Sequence, residues 1–417
     1  MDLIIKESML QGKIKAPPSK SYTHRYMIIS SLARGVSEIK NPLFCDDTMK
    51  TLEACEKIGA DVRVKKDLII QGSEKLMAEG VIDCGCSGTT LRFFTALAAT
   101  FSGLTVITGE ESLRKRPLRE LLEVLKRSGV KILSGKNRSL PVVVFGTRIK
   151  GGKISIRGDI SSQFISALMM LSPKAESTTE ILVNKLQSRP YVELTLDVMR
   201  KAGIEVYQKD NRFFIPGTQE FKSGKYTVEG DFSSASFLIA AGILNGKVSI
   251  SGLKKDSLQG DKKILKIIRD IGGNIRERRN EIDVESSDLR STVIDVSDTP
   301  DLAPIYTLLA TQAEGVTEIK NTGRLRFKES DRVSSIISEL GKMGAKIEEK
   351  KDRLIIRGPV RLKGAVIDPH HDHRVAMTCA VAGLIAEGKT VIKNSECVKK
   401  SYPLFFDDLI RIGADVS

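Results

Sequence analysis

A chain of 417 residues is too long for one hydrophobic core and long enough for two well-buried lobes. The formal net charge of +14 arises from 66 basic and 52 acidic side chains that are interleaved rather than massed. With 5% aromatic residues and no tryptophan, that pattern argues against a nucleic-acid binder.

In chain order, MDLIIKES reads as a short apolar strand and has no cationic segment leading an apolar core, so it is not a signal peptide. APPSKSYTHR precedes the apolar helix-like stretch YMIISSLA, and LEACEKIGADV follows as a helix ending at Gly59. GADVRVKKDLIIQG then reads as strand, tight polar turn, strand. CGCSGTTLR precedes FFTALAAT, and RKRPLRE precedes LLEVLKRSGVKI, which is capped by Gly129. GDISSQF precedes ISALMML, and SRPY precedes VELTLDVMRKAGIEV with its Gly203. VEGDFSSAS opens the next stretch, and LKIIRDIGGNI ends at Gly272. KESDR precedes VSSIISELGKMGAKI with Gly344, HDHR precedes VAMTCAVAGLIA, and KKSYP precedes LFFDDLIRIGADV with Gly413.

The six cap glycines are 70, 74, 69, 72 and 69 residues apart. A period of about 70 predicts one supersecondary unit copied six times, three copies to a lobe. The last copy stops at GADVS, one strand short. The matching letters lie at the other terminus, where MDLIIKES parallels KDLIIQGS. Leu3, Ile4 and Ile5 are therefore expected to complete the sixth unit beside the C-terminus, placing the N-terminal strand in the lobe of the C-terminal half.

Eight motifs put Arg, Lys, Ser, Thr or Gly at a helix start, where unpaired N–H groups and the positive dipole end favour phosphate or carboxylate. Ser161, Ser162 and Asp301 could each be a plain helix cap, and Glu329 and Asp331 could merely complement a dipole. Tyr191 could be a core residue. Capping alone, however, has no use for the cations that recur beside these residues. Helices of both lobes pointing such ends into one cleft would form an anion trap for ligands with several phosphate and carboxylate groups.

Several alternatives are weaker. No GxxxxGK[ST] occurs, and Gly151-Gly152 lacks the strand–GxGxxG–helix setting. Cys84 and Cys86 form only a C-x-C, and the six cysteines lack the spacing of a zinc or disulfide framework, which suits a reducing cytoplasm. His370, His371 and His373 are too close together to share a metal readily. No run of about 18 apolar residues predicts a membrane span.

Taken in order, these motifs resemble the EPSP synthase family, 3-phosphoshikimate 1-carboxyvinyltransferases. The matching residues are Ser19-Lys20-Ser21 with Arg25, Ser87-Gly88-Thr89 with Arg92, Arg116-Pro117, Ser161-Ser162-Gln163 and Ser188-Arg189-Pro190-Tyr191. They continue through Asp301, Lys328-Glu329-Ser330-Asp331-Arg332, Asp372-His373-Arg374 and Lys400. The resemblance implies an α/β (α+β) fold of six βαβαββ repeats, three per lobe, packed as a two-lobe inverse α/β barrel. It implies one lobe of residues 1–18 and 229–417 and a second of residues 19–228. A two-stranded hinge would lie near Pro18 and near Val228 to Gly230, with helix N-termini facing a cleft that closes on substrate.

The implied reaction moves the enolpyruvyl group of phosphoenolpyruvate (PEP) to the 5-hydroxyl of shikimate 3-phosphate, releasing phosphate, in the shikimate route to aromatic amino acids. It needs a proton donor at carbon, a base at the hydroxyl and cations on the phosphate, but no metal or organic cofactor. By resemblance Asp301 takes the hydroxyl proton, Glu329 serves the methylene as acid and later base, and Lys20 assists while binding phosphate. PEP would be held by Lys20, Gly88, Arg92, Arg116, Gln163, Arg332, Arg374 and Lys400. Shikimate 3-phosphate would be held by Ser21, Arg25, Ser161, Ser162, Gln163, Ser188, Tyr191, Asp301 and Lys328. The resemblance also implies a cytoplasmic monomer with no nucleic-acid or membrane partner.

Three positions depart from the family pattern. Cys86 stands where Asn is usual, Arg324 stands where many members have Asn beside the shikimate ring, and Phe93 stands where many glyphosate-sensitive members have Pro. Gly88 retains the small residue at which glyphosate competes with PEP. The sister enzyme acting on a UDP-amino sugar would want Lys-Asn at the first motif and a cysteine near Arg116, and the sequence has neither. A nucleic-acid-binding repeat protein would have its phosphate backbone repelled by Asp301 and Glu329.

Overall fold

The computed structural model describes residues 1–73, 76–78, 80–135 and 140–417. The chain forms two compact units, Met1–Pro17 with Glu229–Ser417, and Pro18–Val228. Each has its own apolar core.

In the unit Pro18–Val228, three four-stranded sheets carry the repeat. The second shows it most plainly: strand Val81–Asp83, helix Gly88–Leu97, strand Leu104–Thr108, helix Arg119–Arg127, then strands Ile132–Ser134 and Val142–Phe145. The first two strands pair in parallel and the rest antiparallel. Composition explains the layering. The first helix of each repeat is apolar nearly all round, so it goes inside; all ten residues of Gly88–Leu97 are buried. The second helix has one apolar face, as in Arg119–Arg127, where Leu121, Leu122, Val124 and Leu125 are buried and the charges point out. Strands such as Val142–Phe145 alternate buried and half-buried residues, as an outer sheet over a helical core requires. Helices inside and sheets outside make the inverse barrel that the family resemblance implies.

The six cap glycines behave identically. Gly59, Gly129, Gly203, Gly272, Gly344 and Gly413 have φ between 77° and 105°. In each case the next amide reaches back five residues, as Ala60 N does to Cys55 O at 3.1 Å. This is the Schellman closure, and its left-handed residue is the reason for glycine.

Chain ends complete the repeats. Leu3–Lys6 pairs antiparallel with Lys389–Ile392, setting Leu3 against Ile392. Ile5 bridges Val416, and Ile4 N donates to Ser417 O at 2.8 Å. The expected completion of the sixth unit is thus present. Two further loans were not visible in the sequence. Strand Lys225–Thr227 joins the first repeat beside Val36–Lys40, and Leu10–Lys15 joins the fourth beside Gly246–Ser251, both in parallel.

Candidate active site

Each of the eight motifs begins a helix, and the site residues fall into two groups, one per unit.

In Pro18–Val228, Lys20 opens helix Lys20–Leu32 and its Nζ lies 2.8 Å from Oδ2 of the buried Asp47. Arg25, one turn on, is 2% exposed. Its Nε donates to Thr195 Oγ1 at 2.9 Å, Nη1 to the Ser21 carbonyl at 3.0 Å and Nη2 to the Tyr191 carbonyl at 3.1 Å. The guanidinium also lies over the Phe93 ring at 5.4 Å. Burial lowers its pKa to about 10, against the pull of Tyr191 and Tyr22, and it remains a cation at neutral pH. Helix Arg189–Lys201, which supplies Tyr191 and Thr195, is entered through Ser188 at a left-handed φ of 52°. Tyr191 itself packs partly against the core.

Gly88 is where two cations converge. A Cβ there would stand 2.8 Å from Nη1 of both Arg92 and Arg116, so the guanidiniums occupy the space that any other residue would fill. Arg92 Nη1 donates to Gln163 Oε1 at 2.5 Å, and Gln163 Nε2 donates to Thr89 Oγ1 at 2.8 Å. Gln163 lies in the first turn of helix Ser162–Leu171, whose cap is Ser161, with Oγ accepting Gln163 N at 3.3 Å. Ser161 thus caps this helix. Cys86 Sγ lies 2.8 Å from Glu110 Oε2. His24 is buried beside Thr51 at 2.7 Å; burial, opposed by Asp47, drives its pKa down to about 3, so it is neutral.

In the other unit the hub is Arg332, 1% exposed at the start of helix Arg332–Lys342. Nε donates to Asp372 Oδ2 at 2.8 Å, Nη1 to Asp301 Oδ1 at 2.9 Å and Nη2 to Glu329 Oε2 at 2.6 Å. Burial opposes its charge, but Asp372, Glu329 and Asp301 outweigh burial and raise its pKa. Asp301 also accepts from Lys328 Nζ at 3.1 Å and lies 3.8 Å from Arg374 Nη2. Burial would raise the Asp301 pKa, yet Lys328, Arg374 and Arg332 hold it well below the usual carboxylate range. Lys328 is lowered to about 8 by burial, with Asp301 opposing. Asp301 is therefore not a helix cap: it sits in the turn Pro300–Leu302 before helix Ala303–Gln312 and spends its oxygens on cations. Asp331 is a cap, accepting Ser334 N at 3.1 Å. Arg374 is 3% exposed and donates to the Ser233 carbonyl at 3.0 Å. Lys400 is buried at the end of Ser395–Lys400, which packs on helix His373–Gly383. Arg324 donates to the Ser297 carbonyl at 3.2 Å.

Asp301, Lys328, Glu329, Arg332 and Arg374 thus form one ionic network. Arg92, Arg116, Gln163 and Gly88 form a second cluster, and Lys20 and Arg25 are anchored separately. Sequence reasoning missed Asp47 and Ser233, and gave no role to Asp372. Asp372 caps helix His373–Gly383 through Arg374 N at 2.9 Å while gripping Arg332. Asp47 and Asp372 lie at helix starts, where they read as ordinary caps. Among the described residues, no group of three or more His, Cys, Asp or Glu side chains could hold a metal ion, and no helix is long and apolar enough to cross a membrane.

Paired carboxylates on a buried guanidinium, converging arginines and a helical core wrapped in repeated sheets define an enzyme acting on multiply anionic substrates. The family model for EPSP synthase (3-phosphoshikimate 1-carboxyvinyltransferase) matches residues 4–409. The chain is 45% identical to the 3-phosphoshikimate 1-carboxyvinyltransferase of Methanocaldococcus jannaschii over 99% of each chain. It is 43% identical to that of Methanococcoides burtonii over 100% of this chain and 99% of the relative. An EPSP synthase structure from Acinetobacter baumannii superposes with a TM-score of 0.85 at 25% identity, covering 100% of this chain and 99% of that one. The chain belongs to the EPSP synthase family.

Proposed function

We propose that this enzyme converts PEP and shikimate 3-phosphate to 5-enolpyruvylshikimate 3-phosphate and phosphate, as a cytoplasmic monomer, with acid–base chemistry in the unit that holds Asp301 and Glu329. The observation that carries the assignment is the sharing of one buried guanidinium, Arg332, by these two carboxylates. A proton from Glu329 goes to the methylene carbon of PEP, leaving cationic character at the adjacent enol carbon. The 5-hydroxyl oxygen bonds to that carbon, and its proton passes to Asp301. An oxygen bonding to a cationic carbon becomes strongly acidic, so a base weakened by Lys328 and Arg374 is sufficient. Glu329 then recovers a proton from the new methyl group, the bond to phosphate breaks, the departing phosphate takes up the proton that Asp301 accepted, and the double bond returns.

The remaining residues bind and orient. Lys20, Arg92, Arg116, Arg374 and Lys400 supply positive charge for the phosphate and carboxylate of PEP, with Gly88 and Gln163 shaping that place. Ser21, Arg25, Ser161, Ser162, Ser188, Tyr191 and Lys328 serve shikimate 3-phosphate. Support comes from the anchoring already described, which fixes Arg25 and Arg92 before any ligand arrives.

Phosphate release tests the reading. Purified protein should release phosphate only when both substrates are present, and Glu329→Gln should lower kcat at least about a hundredfold, the usual scale of a lost acid–base group. Release with a UDP-amino sugar in place of shikimate 3-phosphate would overturn the substrate assignment.

A further inference from the structure

Gln259 and Asp261 lie at the entry to helix Lys263–Asp270 and belong to no residue set assigned above. Both reach into the segment Glu229 to Ser233. Gln259 Nε2 donates to Glu229 Oε1 and to the Gly230 carbonyl, each at 2.7 Å, and Gln259 Oε1 accepts Phe232 N at 3.0 Å. Ser233 Oγ donates to Asp261 Oδ2. This segment is therefore held by two anchors that flank Gly260, Gln259 on its backbone and Asp261 on the Ser233 hydroxyl. Arg374 Nη1 donates to the Ser233 carbonyl, and Arg374 Nη2 faces Asp301. Asp261 and Gln259 are 1% and 7% exposed, so neither is a surface contact.

We propose that Asp261 is a positioning residue for Arg374: by fixing Ser233, it sets the carbonyl that seats the guanidinium beside Asp301. The inference rests on the proposed role of Arg374 toward PEP. It adds a carboxyl group that touches no substrate yet governs where a PEP-binding cation stands.

The electrostatics of the spot supply a readout that simple packing would lack. Asp301, Asp231 and Arg374 face Asp261, as does Tyr306 from helix Ala303–Gln312. Burial first, then Asp301, pushes the Asp261 pKa up to about 7, against the Ser233 hydrogen bond and Arg374. As pH rises through 7, the group gains a negative charge that competes with PEP for Arg374. The KM for PEP should therefore climb over that interval. Asparagine keeps the shape and an acceptor for Ser233 but cannot ionise.

The test compares wild type, Asp261→Asn and Asp261→Ala as full-length protein. Asp261→Ala should raise the KM for PEP about threefold to tenfold, the worth of one buried hydrogen bond, while kcat moves less. Asp261→Asn should lose the climb in KM across pH 7 that wild type shows. Crystal structures of the two variants should show the Arg374–Ser233 bond kept in Asp261→Asn and broken in Asp261→Ala, a comparison that needs no turnover. Arg374 unmoved in Asp261→Ala, an unchanged KM in that variant, or a wild-type pH response in Asp261→Asn would overturn the inference. Absence of phosphate release from wild type would instead overturn the functional reading, leaving the crystal comparison to decide the placement of Arg374.

Discussion

Arg332 shows how a single side chain fixes a site. Three carboxylates converge on it in a place where it is 1% exposed, and each would be costly to bury without it. Replacing it with Met should cost about 3–5 kcal/mol in urea unfolding, the usual penalty for stranding buried partners. The penalty should shrink as pH falls below 4. The depressed Asp301 pKa contributes stability that is present above the unfolded value and lost as pH falls through the folded one, and protonated carboxyls no longer require a cation. Lys328 works in the opposite sense. Its folded pKa, about 8, lies below the unfolded value near 10.4, so the folded state sheds the proton first and stability rises with pH between the two. The same loss of charge removes a cation beside Asp301, so the KM for shikimate 3-phosphate should rise as pH passes 8. Lys328→Met should remove that titration from a pH–KM profile. None of these couplings was legible in the sequence. KESDR announces charges at a helix start, but not that Arg332 would spend three donors on Asp301, Glu329 and Asp372, residues up to 40 positions away. Hydrogen-bond partners of that separation leave no local trace.

At the scale of elements, legibility was much greater, because caps and periodicity are local. The six glycines foretold six Schellman ends, and the structure has six. The test of that argument is a glycine with no other duty. Gly129 has φ of 90°, and a Cβ there would meet nothing within 4 Å. Gly129→Ala should therefore cost about 1–2 kcal/mol, the backbone penalty of an L-residue in left-handed space, with kcat unchanged. Gly203 makes a poorer test, because its Cβ would meet the Lys222 side chain at 2.8 Å. The elements the sequence hid are the borrowed edge strands. Lys225–Thr227 and Leu10–Lys15 carry no cap, and their alternation is too brief to declare a partner. The N-terminal loan was readable only because MDLIIKES repeats the letters of KDLIIQGS, so that pattern matching succeeded where periodicity could not.

For the whole molecule, the loans make the two units unequal. The segment Pro18–Val228 contains every strand of its three sheets, including the one that returns from its own end. Glu229–Ser417 does not: its fourth repeat lacks Leu10–Lys15 and its sixth lacks Leu3–Lys6. Those two strands bury Ile5, Leu10 and Ile14, together worth roughly 5–9 kcal/mol of apolar burial, and they cover two sheet edges. That sum is comparable to the entire stability of an ordinary domain. Expressed alone, Pro18–Val228 should therefore unfold cooperatively in urea, whereas Glu229–Ser417 should be aggregated or molten by near-UV circular dichroism. Appending Met1–Pro17 after Ser417 through a short flexible linker should restore a cooperative transition. The ends to be joined are already neighbours, since Ser417 and Ile4 exchange hydrogen bonds of 2.8 and 3.0 Å. A cooperative transition from Glu229–Ser417 without the appended segment would mean that the borrowed strands decorate a core able to stand without them. Restoration by the appended segment would mean that the N-terminus folds as the last piece of a unit whose remainder is encoded more than 200 residues later.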